Sequence, residues 1–394
     1  MSSATEKAID DWVLEHHDDL VAFRRLLHAH PEPSGAEYET TEVIVDRLSA
    51  AGLEPTVLDS GTGVVCDVGD PTCGPAVVLR ADIDGLAMPD EKDVAYRSRN
   101  DGVAHSCGHD VHTAMVLGAG LALTPALHAS GQSLRLVFEP SEEQVPGGAV
   151  EVVGSGWLEG VRSVYGLHCD PKLDVGTVGT RRGAITSAAD QIDITLTGPG
   201  GHTARPELTI DMVSLASRVA VELPLLVHER AAGDVLLVFG AIHSGDAANV
   251  IPAGAHLAGS LRTPDRDVWA SAQSLLADSV AALVEPTGAE WSVDHRRGVP
   301  PVVNHDRETA LFESAVRRCL GADAVLETPR SAGGDSYAWY LEATGGTYAR
   351  LGTHPGGNSE RMDLHRGDFD VDESAIGIGV RVMAAAVCAE LGLP

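Results

Sequence analysis

Residues 105 to 112 read His105-Ser106-Cys107-Gly108-His109-Asp110-Val111-His112, so three histidines, a cysteine and an aspartate fall within eight positions. Thiolate sulfur and imidazole nitrogen are borderline-soft donors suited to zinc-like metals. Cys107 and His109 can therefore face one ion, and on their own they fit a structural zinc loop equally well. Two adjacent carboxylates, Glu142 and Glu143, follow an apolar run and precede Pro146-Gly147-Gly148. A turn can point neighbours in different directions, so that one ligates a metal while the other stays free as a base; taken alone, the pair reads as a solvated acidic loop. His168 closes another apolar run, and His365 lies in Met362-Asp363-Leu364-His365-Arg366-Gly367. A lone histidine in either context is more often just hydrogen-bonded, so the value of both depends on a shared site.

The elements that must position these residues show in the periodicity. Ile9, Trp12, Val13, Leu20, Val21, Phe23, Leu26 and Leu27 have helical spacing up to Pro31, and the pattern predicts a second helix from Glu37 to about Ala51. Apolar runs at 76–79, 134–138 and 163–167 read as buried strands ending in Arg80-Ala81-Asp82-Ile83-Asp84, in Glu139 to Glu143, and in His168. Open α/β sheets gather their ligand sites at such strand ends. An apolar helix is expected over Val111 to Leu123. From Gln191 to Val299 the pattern becomes strand (191–197), helix (211–230), two strands (234–242 and 255–262), helix (267–284) and strand (290–294). That is the βαββαβ order of a ferredoxin-like unit. The expected architecture is α/β, with a catalytic domain over 1–183 and 300–394 built on a central mixed sheet flanked by helices. A βαββαβ domain over 184–299 is inserted into it.

A chain of 394 residues with 44% hydrophobic content exceeds what one core usually organises, in keeping with two domains. Acidic residues outnumber basic ones 57 to 28, the formal net charge is -29, and no Lys/Arg-rich run occurs. This argues against nucleic acid or an anionic membrane as partner. The segment opening Met1-Ser2-Ser3 has no apolar signal core, and no stretch offers eighteen uninterrupted apolar residues. Cys66, Cys73, Cys107, Cys169, Cys319 and Cys388 form no regular framework. Reduced thiols and a cytoplasmic location are the expectation.

Over almost its whole length the chain resembles the aminoacylase/hippurate-hydrolase type of metal-dependent amidohydrolases and peptidases. The likeness is to the branch containing plant indole-acetyl-amino-acid hydrolases and bacterial N-acyl-amino-acid amidohydrolases. It is carried by Arg24-Arg25-Leu26-Leu27-His28-Ala29-His30-Pro31-Glu32, Arg80 to Asp84, His105 to His112, Glu142-Glu143, Gly166-Leu167-His168, Gly200 to Pro206, Asn249-Val250-Ile251-Pro252 and Gly259 to Thr263. The resemblance implies a zinc-exopeptidase-like fold and a two-metal centre with Cys107, His109, Glu143, His168 and His365 as ligands. Glu142 would be the general base. Two divalent ions sharing a water lower its pKa towards about 7, and Glu142 would pass that water's proton to the leaving amine. Zinc is the default for such ligands, with manganese, cobalt or nickel also accommodated. The implied substrate is an N-acyl amino acid or related small amide.

The same resemblance makes His202 the donor to the tetrahedral oxyanion, reaching the site from the inserted domain of a partner subunit. That implies a homodimer, although the residues alone read Gly200-Gly201-His202 equally as a turn. Asn249 and Arg262 resemble the binders of the substrate's polar or carboxylate end. Asp84 would stand behind a metal-binding histidine, while His105, Asp110 and His112 fill supporting or helix-capping roles. Cys169 reads as a spare thiol or an inert buried cysteine.

The chain departs from the pattern of this family at Gly85-Leu86-Ala87, where Ala-Leu-Pro is usual, at Glu139 for glutamine, and at Glu207 for histidine. Ser331-Ala332-Gly333-Gly334-Asp335-Ser336 replaces a Gly-Ser-Glu-Asp-Phe motif. These positions are expected to touch substrate and domain contacts, not the ligands. Three other readings compete. A nucleotide fold built on Gly118-Ala119-Gly120 fails, because the glycines lie inside a helix and lack the third spaced glycine. A metallo-dipeptidase, carboxypeptidase or N-carbamoyl hydrolase would use the same machinery. A metal-stabilised binding protein would have no use for Glu142.

Overall fold

The apolar positions spaced along residues 9–27 line one face of the helix Ala4–Ala29, burying Ile9, Val13, Leu20, Phe23 and Leu27. The helix Tyr38–Ala50 follows. This computed structural model describes residues 4–70, 72–231, 233–357 and 359–393. Met1–Ser3 and Pro394, placed by the sequence reading at the ends of the first domain, lie outside the described residues. The chain divides into two compact units: Met1–Gly183 with Asn304–Pro329 and Ser336–Pro394, and Ala184–Val303 with Arg330–Asp335.

The first unit is built on an eight-stranded mixed sheet. In spatial order its strands are Thr56–Val57, Val64–Gly69, Ser133–Glu139, Val77–Asp82, Ser163–Asp174, Gly345–His354, Val178–Thr180 and Val325–Glu327. Val77–Asp82 runs parallel to both neighbours and is buried at every position, as a central strand covered on both faces must be. The helices His109–Ser130 and Ser374–Leu391 are long and apolar enough to cross a membrane by length and composition, yet most of each is buried in the protein. Their apolar character on all sides is that of core helices.

Two local expectations change. Arg80 and Asp82 belong to the strand and do not follow it. His168 lies within the strand Ser163–Asp174, not at its end. The run 163–167 reads as ending because the polar His168 follows it, yet the strand goes on: Val77–Asp82 is paired with it from Ser163 to Gly166, and Gly345–His354 accompanies it through Cys169 and beyond. His168 therefore lies just past the paired stretch of Val77–Asp82 while its own strand continues.

In the second unit the strands lie in the order Leu236–His243, Gly254–Arg262, Ala189–Thr197 and Glu290–Val299, all antiparallel. With the helices Met212–Ala231 and Arg266–Val284 this is the βαββαβ arrangement. Ile192, Ile194 and Leu196 alternate inward and share a core with Leu215, Val219, Leu276 and Val280. Asp265 caps the second helix by accepting the N–H groups of Asp267 and Val268. The unit extends past Val299 and takes in Arg330–Asp335, and backbone hydrogen bonds tie these segments to Ile185 near its start. Ile185 N–H donates to Val302 O at 3.0 Å, and Ser331 N–H to Ile185 O at 2.9 Å.

Candidate metal centre

Gly108 makes the ligand loop possible. Its φ of 90° is in the left-handed region, and a Cβ there would stand 2.8 Å from Cys169 Sγ. Only glycine permits both the turn and the close approach to the strand Ser163–Asp174. This approach sets Cys107 Sγ 3.4 Å from His168 Nε2 and makes His109 the first residue of the helix that follows. Glu142 and Glu143 come from the loop after Ser133–Glu139, which turns through Ser141 at a φ of 56°. His365 also has a positive φ, 60°. Its N–H donates to Ser106 O at 2.8 Å, tying the C-terminal segment to the cysteine loop. Its Nε2 lies 3.4 Å from Glu143 Oε1.

The hydrogen bonds present the histidine lone pairs inward. His109 Nδ1 faces Asp84 O at 2.9 Å and Asp84 Oδ1 at 3.1 Å, leaving Nε2 towards Glu142 and Glu143, each at 3.9 Å. Asp84 is itself held by Ser34 Oγ–H at 2.6 Å and by Glu143 N–H at 3.0 Å. His168 Nδ1–H donates to Cys169 O at 2.7 Å, so its Nε2 carries the free pair. Burial, with Arg350 nearby, pushes His168 well below its ordinary pKa and keeps it neutral. Burial also pushes the Cys107 thiol well up, with Glu143 adding to the effect. A thiol in this environment gives up its proton only to a cation.

These donors fit a pair of metal ions. The ligand atoms of Cys107, His109 and His168 lie within 4.8 Å of one another, as do those of Cys107, Glu143 and His365, and those of His109, Glu142 and Glu143. The sets overlap through Cys107, His109 and Glu143, as expected when neighbouring ions share a donor wall. His109 Nε2 and Glu143 Oε1 are buried without a hydrogen-bond partner, an arrangement that is costly unless a ligand meets them. Asp82, His109 and His112 form a fourth close set. His112 is already used, however: Nδ1 faces Asp82 Oδ1 at 2.5 Å and Nε2 accepts Cys169 N–H at 2.8 Å.

Residues 78–389 match the model of peptidase family M20/M25/M40. The chain belongs to that family. It is a metal-dependent amidohydrolase of that family. It is 35% identical over 365 residues to the N-acetyl-L-cysteine deacetylase of Bacillus subtilis (strain 168), covering 91% of this chain and 84% of the relative. It is 42% identical over 368 residues to a protein named as glutamate–cysteine ligase 2-3 from Rhodococcus jostii (strain RHA1). The match covers 93% of this chain and 46% of that relative, so the M20 chain spans about half the relative's length. The crystal structure of the YXEP protein of Bacillus subtilis, a dinuclear metal-binding peptidase from the M20 family, superposes with a TM-score of 0.82. The two are 27% identical, covering 96% of this chain and 99% of the other.

Other residues selected from the M20 sequence lie in the second unit. His202 and Asn249 are exposed and neighbour each other, because the strand Gly201–His202 pairs antiparallel with Val250–Ile251. His202 Nδ1 accepts Ala204 N–H at 3.0 Å, which puts the proton of the neutral ring on Nε2. Arg262 is half-buried and donates to Ala332 O at 2.6 Å. In the first unit, His105 is buried and burial takes its pKa down to about 4. Asp110 is committed to Arg24 and His28, at 2.5 and 2.6 Å. Cys169 is buried behind the ligand loop. Arg80 carries no assigned role in the matched stretch, and the segment ending at Ser336, expected to touch substrate and domain contacts, instead brings Ser336 N–H to Glu142 Oε1 at 3.2 Å. An arginine between apolar residues and an aspartate, Leu79-Arg80-Ala81-Asp82, was the one visible sign of a buried charge network.

Proposed function

We propose that the chain hydrolyses the amide bond of N-acyl amino acids, releasing a carboxylic acid and a free amino acid. The observation that carries this reading is the division of labour between adjacent carboxylates. Glu143 Oε1 is buried without a hydrogen-bond partner among Cys107, His109 and His365. Glu142 has one oxygen steadied by Ser336 N–H while the other faces His109 Nε2 at 3.9 Å. Cys107, His109, Glu143, His168 and His365 would hold two ions, which would supply the Lewis acidity that lowers the pKa of a water towards about 7 and polarises the amide carbonyl. Glu142 accepts a proton from that water as its oxygen bonds to the carbonyl carbon. It then gives the proton to the amine nitrogen as the C–N bond breaks. His202, with its donor on Nε2, serves the oxyanion, and Asn249 and Arg262 receive the substrate's carboxylate end.

A panel of N-acetyl and N-benzoyl amino acids tests the reading, with N-acetylcysteine first because a relative is named as its deacetylase. The protein should hydrolyse members of the panel, lose activity with a chelator, and regain it with zinc, manganese, cobalt or nickel. Turnover of dipeptides or N-carbamoyl compounds in place of the whole panel would reassign the substrate and leave the centre in place.

We further propose that the second unit forms a homodimer, with His202 of one subunit serving the site of the other. Leu236–His243 is an edge strand of its sheet, with exposed Leu236, Val238 and Ile242. Val221 and Leu225 are exposed on the helix Met212–Ala231, and a hollow of about 390 Å³ is lined by Ala220, Pro224, Val238, Phe239 and Ile242. An unpaired apolar edge suits antiparallel pairing with its own copy about a twofold axis. Val238→Lys combined with Leu225→Glu should give a monomer by sedimentation, with folding intact and turnover reduced at least about tenfold. A wild-type protein that sediments as a monomer while fully active would remove the dimer and the shared histidine together.

A further inference from the structure

Arg80 is fully buried at the end of the strand Val77–Asp82 and is surrounded by fixed partners. Its Nε donates to Glu139 Oε2 at 2.6 Å, Nη1 to Asp82 Oδ2 at 2.6 Å, and Nη2 to Ser336 Oγ at 3.0 Å. Asp82 and Glu139 are register partners on parallel strands, so the pairing of the strands itself sets one carboxylate on each side of the guanidinium. Ser336 Oγ–H donates in turn to Glu139 Oε1 at 2.5 Å, and Ala149 N–H donates to the same oxygen at 2.7 Å. The hydroxyl of Ser336 is thus held by an acceptor and a donor that cannot move without unpairing a buried charge. Gly147 closes against it: a Cβ at Gly147 would stand 2.4 Å from Ser336 Cβ.

The backbone N–H of this same Ser336 holds Glu142 Oε1 at 3.2 Å. We propose that Ser336 is a positioning residue for Glu142, its hydroxyl clamped between Arg80 and Glu139 so that its N–H fixes the orientation of the carboxylate. The proposal rests on the reading of Glu142 as the general base. It also joins two departures from the sequence pattern, Glu139 and the segment ending at Ser336, as two sides of one contact. A donor fixed on one carboxylate oxygen sets the orientation of the whole group, and freedom in that carboxylate costs rate without weakening substrate binding.

The test uses the metal-loaded full chain with an N-acyl amino acid that it turns over. Ser336→Ala removes the clamped oxygen and keeps the backbone donor. It should lower kcat about tenfold, the expected scale for losing a charge-assisted hydrogen-bond arrangement, with KM and metal content unchanged. Glu139→Gln, which is isosteric, should act in the same direction and decides the matter if Ser336→Ala does not fold. Moving the carboxylate across the contact in Glu139→Gln/Ser336→Asp should restore kcat to within about threefold of the parent, a departure from additivity expected only of directly coupled residues. A lower Tm with unchanged kcat per metal-loaded subunit makes the contact purely structural and overturns the proposal, as do additive losses in the double variant. Glu142→Gln separates the two ideas. Full turnover there removes the base reading and this proposal with it, whereas lost turnover beside an unaffected Ser336→Ala and Glu139→Gln removes this proposal alone.

Discussion

Glu142→Gln should lower kcat by at least about a thousandfold, towards the upper end of what a positioned acid–base group supplies, while leaving metal content and KM near those of the parent. Glutamine has the same shape and still accepts Ser336 N–H on its carbonyl oxygen, so the hydrogen bond seen at 3.2 Å survives. What it cannot do is take a proton from water. Glu143→Gln provides the contrast. Its carboxylate oxygen is buried, lacks a hydrogen-bond partner, and faces His365 Nε2 at 3.4 Å and His109 Nε2 at 3.9 Å. Removing its charge should therefore appear first as lost metal, measured by elemental analysis of the purified protein. A Glu142→Gln variant with parental kcat would sink the base assignment. Metal loss in Glu142→Gln together with full loading in Glu143→Gln would exchange the roles of the two residues.

The neighbours in this pair differ only because the loop turns between them, and that limit applies to the whole sequence reading. Cys107 and His109 were legible because dense donors of the right softness are rare in eight residues. The βαββαβ unit was legible because its apolar period switches cleanly between strand and helix. His168 was found through its apolar run but misplaced at a strand end. The pairing of neighbouring strands, not the strand's own residues, decides where a side chain becomes available. Ser336 shows in the sequence only as part of a departing segment, with no sign of its contact to Glu142. Its importance lies in contacts to Arg80, 256 positions away, and to Glu139, 197 positions away, and a serine between glycine-rich and aromatic residues has no periodic signature. Arg24 lay inside a matched stretch without a function attached, because the charges that explain it sit in two distant segments.

Replacing Arg24 by methionine should destabilise the first unit by about 3–5 kcal/mol, the range for leaving a buried charge without its partner, and lower Tm by about 10 °C. Arg24 sits on the inward face of the helix Ala4–Ala29 and is fully buried. Its Nε reaches Asp110 Oδ2 at 2.5 Å, its Nη2 Asp370 Oδ1 at 3.1 Å and its Nη1 Glu373 Oε1 at 3.3 Å. Burial works against its charge, yet Asp110 and Asp370 raise its pKa further above the ordinary arginine range, so the cation stays in place. Asp110 adjoins His109, while Asp370 and Glu373 follow His365 along the chain. Arg24 thus reaches the segments that carry both His109 and His365 from one helix, with Arg25 of the same helix adding two bonds to Glu373, beside the His365 N–H to Ser106 O bond that joins the two segments directly. The variant should bind metal more weakly as well as unfold earlier, and both effects are measurable on one preparation by denaturant titration and metal competition. Arg24→Met/Asp110→Asn, which removes the buried carboxylate left with His28, should recover most of the stability and little of the metal affinity, because Asp370 and Glu373 still lack Arg24 and keep Tyr96 and Arg25 as side-chain partners. Equal recovery of both would mean that the arginine only balances the charge of Asp110 and does not hold the two halves of the centre in register.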